Sequence, residues 1–166
     1  NRFESSNIMG LDKVFVHMAI SQYCQGRAWW VDSALVKSMC DNAYRRQSSL
    51  IGEKAADMQL KNQDSVWINT NSIKGPYTII MFWDPTCGHC KETLPKIDSV
   101  YVQRWKKENI GIYAVAKETE GTRADWLRFI ADKKIGNWSH VYYSKEAEKN
   151  RVEKGIPGYS QLYDVQ

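Results

Sequence analysis

The residues with the clearest capacity for chemistry are two cysteines in the run Cys87-Gly88-His89-Cys90. A C-x-x-C pair has two common functions, as half of a zinc site or as a redox dithiol. In a redox dithiol, Cys87 is the exposed nucleophile, and Cys90 is the resolving thiol that attacks the mixed disulfide. His89 is able to carry positive charge that favours the thiolate, and Gly88 leaves room for a partner's backbone.

The flanking sequence places this pair between a strand and a helix. Tyr77–Trp83 is a continuous β-branched and aromatic run, which predicts a strand buried on both faces. A helix is expected from about Cys87, and Pro95 lies inside it, where it removes one hydrogen bond and kinks the helix. A thiol in the first turn of a helix faces unpaired N–H groups and the positive end of the helix dipole, which lower its pKa. The placement favours the redox function.

The rest of the chain supplies the elements that must position the pair. Short strands are predicted at Met58–Leu60 and Val66–Asn69, and a second buried strand at Ile110–Ala116. Thr122–Asp125 resembles a capping box that opens another helix, and Trp138–Tyr143 predicts a further strand. The alternation of strands and helices predicts an α/β fold with right-handed crossovers and a largely parallel central sheet.

Residues 1–50 form a separate helical N-terminal segment in this interpretation, and residues 51–166 form the α/β domain. Asp32 is the expected N-cap of one N-terminal helix. Cys24 and Cys40 are interpreted as small buried apolar residues, with a disulfide between them as the alternative in an oxidising compartment. A zinc site that uses all four cysteines is disfavoured, because structural zinc ligands usually come in closely spaced pairs.

Composition excludes several classes of function. The chain has 166 residues and a net charge of +4 from basic residues scattered among acidic ones, which argues against nucleic-acid binding. Its longest apolar run is too short to cross a bilayer. The first residues look like the interior of a longer sequence, so any membrane association is expected through an N-terminal segment that has been removed. No haem, flavin or nucleotide motif is present, and we expect neither a cofactor nor a metal.

The run from Phe82 to Lys91, followed by Pro95, closely resembles the thioredoxin superfamily. Gly52–Leu60, Ser72–Gly75 and the insertion at Thr122–Tyr143 look like the TlpA/ResA-like thiol-disulfide oxidoreductases. The resemblance covers residues 50 to about 165. Residues 11–50 are similar, more weakly, to the helical segment that precedes such domains in envelope proteins of Bacteroides-type bacteria.

This resemblance implies a thioredoxin-like central sheet flanked by helices and a location in the periplasm or cell envelope. It also implies catalysis by Cys87 and Cys90. The supporting residues expected around them are Trp83, Gly88, His89 and Pro95.

The sequence departs from the thioredoxin pattern in three places. Pro157 is either the family's cis-proline, with Tyr159–Tyr163 as a strand, or it precedes a short helix over Tyr159–Val165. The second alternative is preferred, and it predicts that the C-terminal hairpin and helix are absent. Met81 stands where plain thioredoxins carry a buried acid, which leaves the proton acceptor of Cys90 unassigned. The Gly-His pair between the cysteines is that of the more oxidising protein disulfide isomerases.

The leading functional prediction is a thiol-disulfide oxidoreductase that reduces protein disulfides in the envelope, supplied by an unidentified electron donor. One alternative is a disulfide oxidase or isomerase that uses the same residues. Another is a non-enzymatic binding module that works through the helical segment. Asp84 and Glu92 flank the dithiol and are interpreted as solvated side chains.

Overall fold

A computed structural model of the protein describes residues 10–163 and residue 165. The chain divides into two compact units. One takes in the chain up to Ala56 and again from Gly155 onward, and the other runs from Asp57 to Lys154. The boundary after residue 50 stays a prediction.

The unit from Asp57 to Lys154 is built on a five-stranded sheet in the order β2-β1-β5-β4-β3. Strands β3, β4 and β5 are parallel, and β1 pairs antiparallel with β2 and β5. The predicted α/β fold is confirmed, with the parallel part limited to three strands. The strands are β1 (Gln59–Asn62), β2 (Trp67–Asn69), β3 (Tyr77–Trp83), β4 (Ile110–Lys117) and β5 (Ser139–Tyr143).

Helices follow the parallel strands of this unit, as the alternating pattern predicts. They are α3 (Gly88–Val100), which continues as a π-helical turn over Tyr101–Trp105, α4 (Arg123–Lys133) and α5 (Lys145–Glu153). The predicted capping box at the start of α4 is confirmed. Thr122 Oγ1 accepts from Asp125 N at 3.4 Å, and the Asp125 carboxylate accepts from Thr122 N at 2.9 Å.

The core of this unit lies around β4, whose residues from Ile112 to Ala116 are buried. Apolar residues of α3 and α4 pack with it, because each helix presents apolar side chains at helical spacing to the sheet. The buried cluster contains Trp83, Leu94, Ile112, Ala114, Ala116, Trp126, Phe129, Ile130, Ile135 and Trp138. This core supports the strand and the helix that carry the two cysteines.

The prediction that Tyr77–Trp83 is buried on both faces is wrong. The strand has the predicted bounds, but it is an edge strand among the described residues and pairs only with β4. Tyr77 and Thr78 are exposed, the middle of the strand is half-buried, and only Trp83 is buried. A continuous apolar run does not distinguish a central strand from an edge strand, since which strands flank it depends on distant parts of the chain.

The other unit contains two helices in its described residues up to Arg46, joined by turns over residues 24–32. Helix α1 (Leu11–Met18) continues as a π-helical turn over Ala19–Tyr23, and α2 spans Ser33–Arg46. Asp32 caps α2 as predicted, and its Oδ1 accepts from Ala34 N at 3.0 Å and from Leu35 N at 3.1 Å. The buried cluster of this unit is small and consists of Phe15, Val16, Ala19, Ala43 and Leu50.

The interpretation of Cys24 and Cys40 as separate buried thiols is wrong. The two residues form a disulfide, with their Cα atoms 5.7 Å apart. Cys24 follows the π-helical turn after α1, and Cys40 lies in α2, so the bond links two helices around a small core. Helical periodicity indicates which residues are apolar, but the distance between two helices comes from their packing.

The short helix predicted after Pro157 is confirmed, with its end at Leu162. Tyr159–Leu162 forms a short helix, α6, and no cis peptide bond occurs among the described residues. The alternative, in which Pro157 is a cis-proline that opens a strand, is therefore wrong. Within the described part of the chain, no helix is long and apolar enough to span a membrane.

Candidate dithiol site

The chain reaches the first cysteine through a tight turn that follows β3. Asp84 Oδ1 accepts two hydrogen bonds at 2.6 Å, one from Thr86 N and one from Thr86 Oγ1. Cys87 N donates to the backbone carbonyl of Asp84 at 3.2 Å. The interpretation of Asp84 as a solvated side chain missed this role, although an acidic residue two positions before threonine is a typical side-chain turn.

Cys87 is the N-cap of α3. Its Sγ accepts a hydrogen bond from Cys90 N at 3.4 Å, in the way that an N-cap oxygen accepts one from the first helical turn. Hydrogen bonds from the Cys90 backbone and side chain lower the pKa of the Cys87 thiol, and the backbone of His89 adds to this effect. Hydrogen bonds to the charged form stabilise it, so the thiolate of Cys87 is favoured.

Cys90 has the opposite character. Burial raises the pKa of its thiol, and the hydrogen bond and charge of Cys87 raise it further. Asp84 acts on both cysteines. Its negative charge raises the pKa of each thiol, whereas a hydrogen bond from its backbone lowers the pKa of Cys90. The two sulfurs are both free, and of the two only Cys87 has a lowered thiol pKa.

The expected supporting residues lie around the turn, in different environments. Trp83 is 4% exposed and packs its ring against Phe129, with the ring centroids 5.1 Å apart. Gly88 and His89 are exposed at the start of α3, and Pro95 is half-buried within the same helix. Trp83 therefore anchors the end of β3 in the core.

His140 is a buried residue next to Trp83 that sequence analysis did not connect with the site. It is 2% exposed, and its ring centroid lies 6.0 Å from that of Trp83. His140 Nε2 lies 2.7 Å from the carbonyl oxygen of Ile135. Burial lowers the pKa of His140 to about 4. The signal that could have found it is its place in the predicted strand Trp138–Tyr143.

A groove of about 300 Å³ opens beside the turn. Pro85, Thr86 and Lys91 line one side of it. The other side is one face of α4, formed by Asp125, Arg128, Phe129, Asp132 and Lys133. The groove thus borders the turn that leads to Cys87.

The zinc alternative finds no support in these positions. Cys24 and Cys40, the further thiols that it needs, are bonded to each other. In the described part of the chain, no three His, Cys, Asp or Glu side chains gather in a way that could hold a metal ion.

Comparison with known proteins identifies the family. Residues 51–137, just over half of the chain, match the model of the AhpC/TSA family. The chain belongs to the AhpC/TSA family. It is an oxidoreductase of the thioredoxin type, as its similarity to solved thiol-disulfide oxidoreductases also indicates. No curated protein matches the sequence.

Three solved structures resemble this family member. A domain of a possible thiol-disulfide isomerase from Cytophaga hutchinsonii is 30% identical, with a TM-score of 0.56 over 70% of this chain and 71% of that one. The thioredoxin domain of a Bacteroides vulgatus thiol-disulfide oxidoreductase is 22% identical, with a TM-score of 0.51 over 69% of this chain and 93% of that one. A thioredoxin-like protein from Bacteroides caccae is 16% identical, with a TM-score of 0.66 over 98% of this chain and 54% of that one. The expected thioredoxin-like fold is confirmed.

Proposed function

We propose that this protein exchanges thiols and disulfides with proteins of the cell envelope through Cys87 and Cys90, and that it acts as a reductase. The observation that carries the proposal is the bond from Cys90 N to Cys87 Sγ at the N-terminus of α3. It favours the thiolate on the attacking sulfur, and the thiolate is the species that attacks disulfides.

The two thiols have complementary roles in the reaction. The Cys87 thiolate attacks one sulfur of a partner's disulfide, so that a mixed disulfide forms and the partner's other sulfur leaves as a thiolate. Cys90 then loses its proton and attacks Cys87 Sγ, which releases the partner with both of its sulfurs reduced. Two electrons pass from the dithiol to the partner, and a donor dithiol must later reduce the Cys87–Cys90 disulfide.

The difference between the two thiols supports this order of events. Cys87 has a lowered pKa, whereas burial raises the pKa of Cys90. A resolving thiol that stays protonated does not compete for the partner's disulfide before the mixed disulfide forms. The groove lined by Thr86 and Lys91 gives the chain of a protein partner room beside the turn that leads to Cys87.

A cell-envelope location is part of the proposal. The Cys24–Cys40 disulfide supports it, because disulfides persist in oxidising compartments outside the cytoplasm. The similar proteins from Cytophaga and Bacteroides are a possible thiol-disulfide isomerase and a thiol-disulfide oxidoreductase.

A disulfide oxidase or isomerase is the second candidate, and one observation favours it. Stabilisation of the Cys87 thiolate stabilises the reduced form of the dithiol, which makes the couple more oxidising. The Gly-His pair between the cysteines points the same way. The same sulfurs would then accept electrons from partner thiols.

Trapping of mixed disulfides tests the exchange reaction, and the midpoint potential of the Cys87–Cys90 couple tests its direction. Cys90→Ser should accumulate mixed disulfides with partners, and Cys87→Ser is the matched control that should not. A midpoint potential near about −270 mV, measured with Cys24 and Cys40 replaced by serine, supports the reductase, and about −180 mV or higher supports the oxidase or isomerase. If Cys90→Ser captures no partner while it remains folded, the exchange function is wrong.

A further inference from the structure

Gly121, in the loop between β4 and α4, packs against the turn that leads to Cys87. Gly121 is buried, and a Cβ atom at this position would lie 2.8 Å from Thr86 Cγ2 and 3.0 Å from Pro85 Cγ. Carbon atoms that are not bonded to each other do not approach so closely, since their contact distance is about 3.5 to 4.0 Å. The close approach of loop and turn therefore requires glycine.

The loop that carries Gly121 and the ring of Pro85 are both held in place. The loop is held at its start by Glu118, whose N donates to the carbonyl of Tyr143 at 3.0 Å and whose Oε2 accepts from Lys145 N at 3.1 Å. It is held at its end by the capping box of α4. On the other side, Pro85 is a buried, rigid ring.

The side chain of Thr86 is the group that would have to move if a Cβ atom were added at Gly121. Its hydroxyl and its backbone N both donate to Asp84 Oδ1 at 2.6 Å, and this fixes the direction in which its methyl group points. Rotation of the side chain away from Gly121 would break the bond from the hydroxyl. Gly121 thus allows the rotamer of Thr86 that keeps the Asp84 carboxylate bound.

We propose that Gly121 is a positioning residue. It allows the Thr86 rotamer that donates a hydrogen bond to the Asp84 carboxylate, and it thereby sets the environment of the Cys87 sulfur. The inference rests on the proposed function only in taking Cys87 as the attacking thiol. Its physical basis is local. Two hydrogen bonds disperse the charge of Asp84, and a carboxylate that loses one of them acts more strongly on the thiols near it.

The experiment is the pH profile of Cys87 alkylation by iodoacetamide in the full chain, followed by mass spectrometry. We expect Gly121→Ala to move the profile to higher pH and to slow alkylation at pH 7 about threefold. Gly136→Ala is the matched control, because a Cβ there meets nothing within 4 Å. It should leave the profile unchanged.

Two changes at Thr86 separate positioning from a general loss of structure. Thr86→Val keeps the branched shape but removes the hydroxyl, and we expect it to shift the profile in the same direction as Gly121→Ala. Thr86→Ser removes the methyl group that the new Cβ meets, so we expect Thr86→Ser combined with Gly121→Ala to return the profile most of the way to normal.

Several outcomes overturn the inference. It is wrong if Gly121→Ala is folded and has an unchanged profile, or if Thr86→Ser does not rescue it. If Gly121→Ala does not fold, Thr86→Val decides, and an unchanged profile there overturns the inference as well. Failure of the proposed function would look different, because Cys90→Ser would then capture no partner as a mixed disulfide, whatever the profile of Gly121→Ala shows.

Discussion

The protein contains two pairs of cysteines whose local structures differ in every respect that controls thiol chemistry. Cys24 and Cys40 are sixteen residues apart, one just after a π-helical turn and the other in α2, and they are joined in a disulfide. Cys87 and Cys90 occupy one turn at the start of α3, where a backbone N–H points at the first sulfur. The first pair is a cross-link, and the second has the geometry of a reactive dithiol.

The difference shows that the backbone around a cysteine, more than the number of cysteines, determines what it does. A disulfide between two helices stabilises mainly by restricting the unfolded chain. A thiol at a helix N-cap is stabilised as the thiolate, which makes it a nucleophile. The following predictions test this division of roles, from the largest expected effect to the smallest.

Replacing the attacking sulfur should have the largest effect. We expect Cys87→Ser to lower the rate of disulfide exchange with a protein substrate at least about a hundredfold, because a serine hydroxyl does not ionise near neutral pH. Cys24→Ser combined with Cys40→Ser is the matched control and should keep most of the activity. Loss of exchange in the control would show that the cross-link also takes part in the reaction.

Removing the cross-link should instead affect stability. We expect Cys24→Ala combined with Cys40→Ala to lower the free energy of unfolding of the helical unit by about 3 kcal/mol, as for a loop of about fifteen residues. Urea unfolding followed by circular dichroism measures this. A change well below 1 kcal/mol would mean that the bond does not hold the two helices in place.

The thiols of Cys87 and Cys90 should differ in their rates of alkylation at neutral pH. Since the pKa of Cys87 is lowered and that of Cys90 is raised, Cys87 should alkylate at least about tenfold faster at pH 7. Site-resolved mass spectrometry of the reduced protein gives both rates. Equal rates would contradict the proposed division between attacking and resolving thiol.

Mild acid should weaken the unit that carries the dithiol through His140. Its pKa is about 4 in the folded chain against 6.5 as the ordinary value, so the unfolded chain binds the proton first as the pH falls. Stability is therefore complete above about pH 6.5 and declines toward pH 4, by about 1.4 kcal/mol per pH unit at most. Urea unfolding at pH 7 and pH 5 measures it.

A matched pair of variants isolates this histidine. His140→Gln should flatten the decline between pH 7 and pH 5, whereas His17→Gln, at an exposed position, should leave it as it is. If His140→Gln declines as steeply as the unchanged protein, another group causes the acid sensitivity.

Elements with strong local signals were predicted well. The bounds of β3, the N-cap at Asp32 and the Thr122–Asp125 capping box follow from residues that are neighbours in the chain. The helix over Tyr159–Leu162 was also found, because it depends on a few adjacent residues. These features are settled by local backbone preferences and short-range hydrogen bonds.

Features that depend on distant residues were missed or predicted wrongly. The edge position of β3 depends on which strands pair beside it, and the Cys24–Cys40 bond depends on how two helices pack. The contact between Gly121 and Thr86 joins residues 35 positions apart, and no sequence pattern in either segment predicts it.

The sequence by itself therefore determined the class of protein and the two sulfurs proposed to carry its chemistry, since a C-x-x-C pair between a strand and a helix implies a thiol at a helix N-terminus. Only the tertiary structure decided how those sulfurs differ. Burial raises the pKa of Cys90, two hydrogen bonds join Thr86 to Asp84, and Gly121 leaves room for the Thr86 methyl group. Burial and close contact depend on which parts of the chain meet in space, and the order of residues does not state that directly.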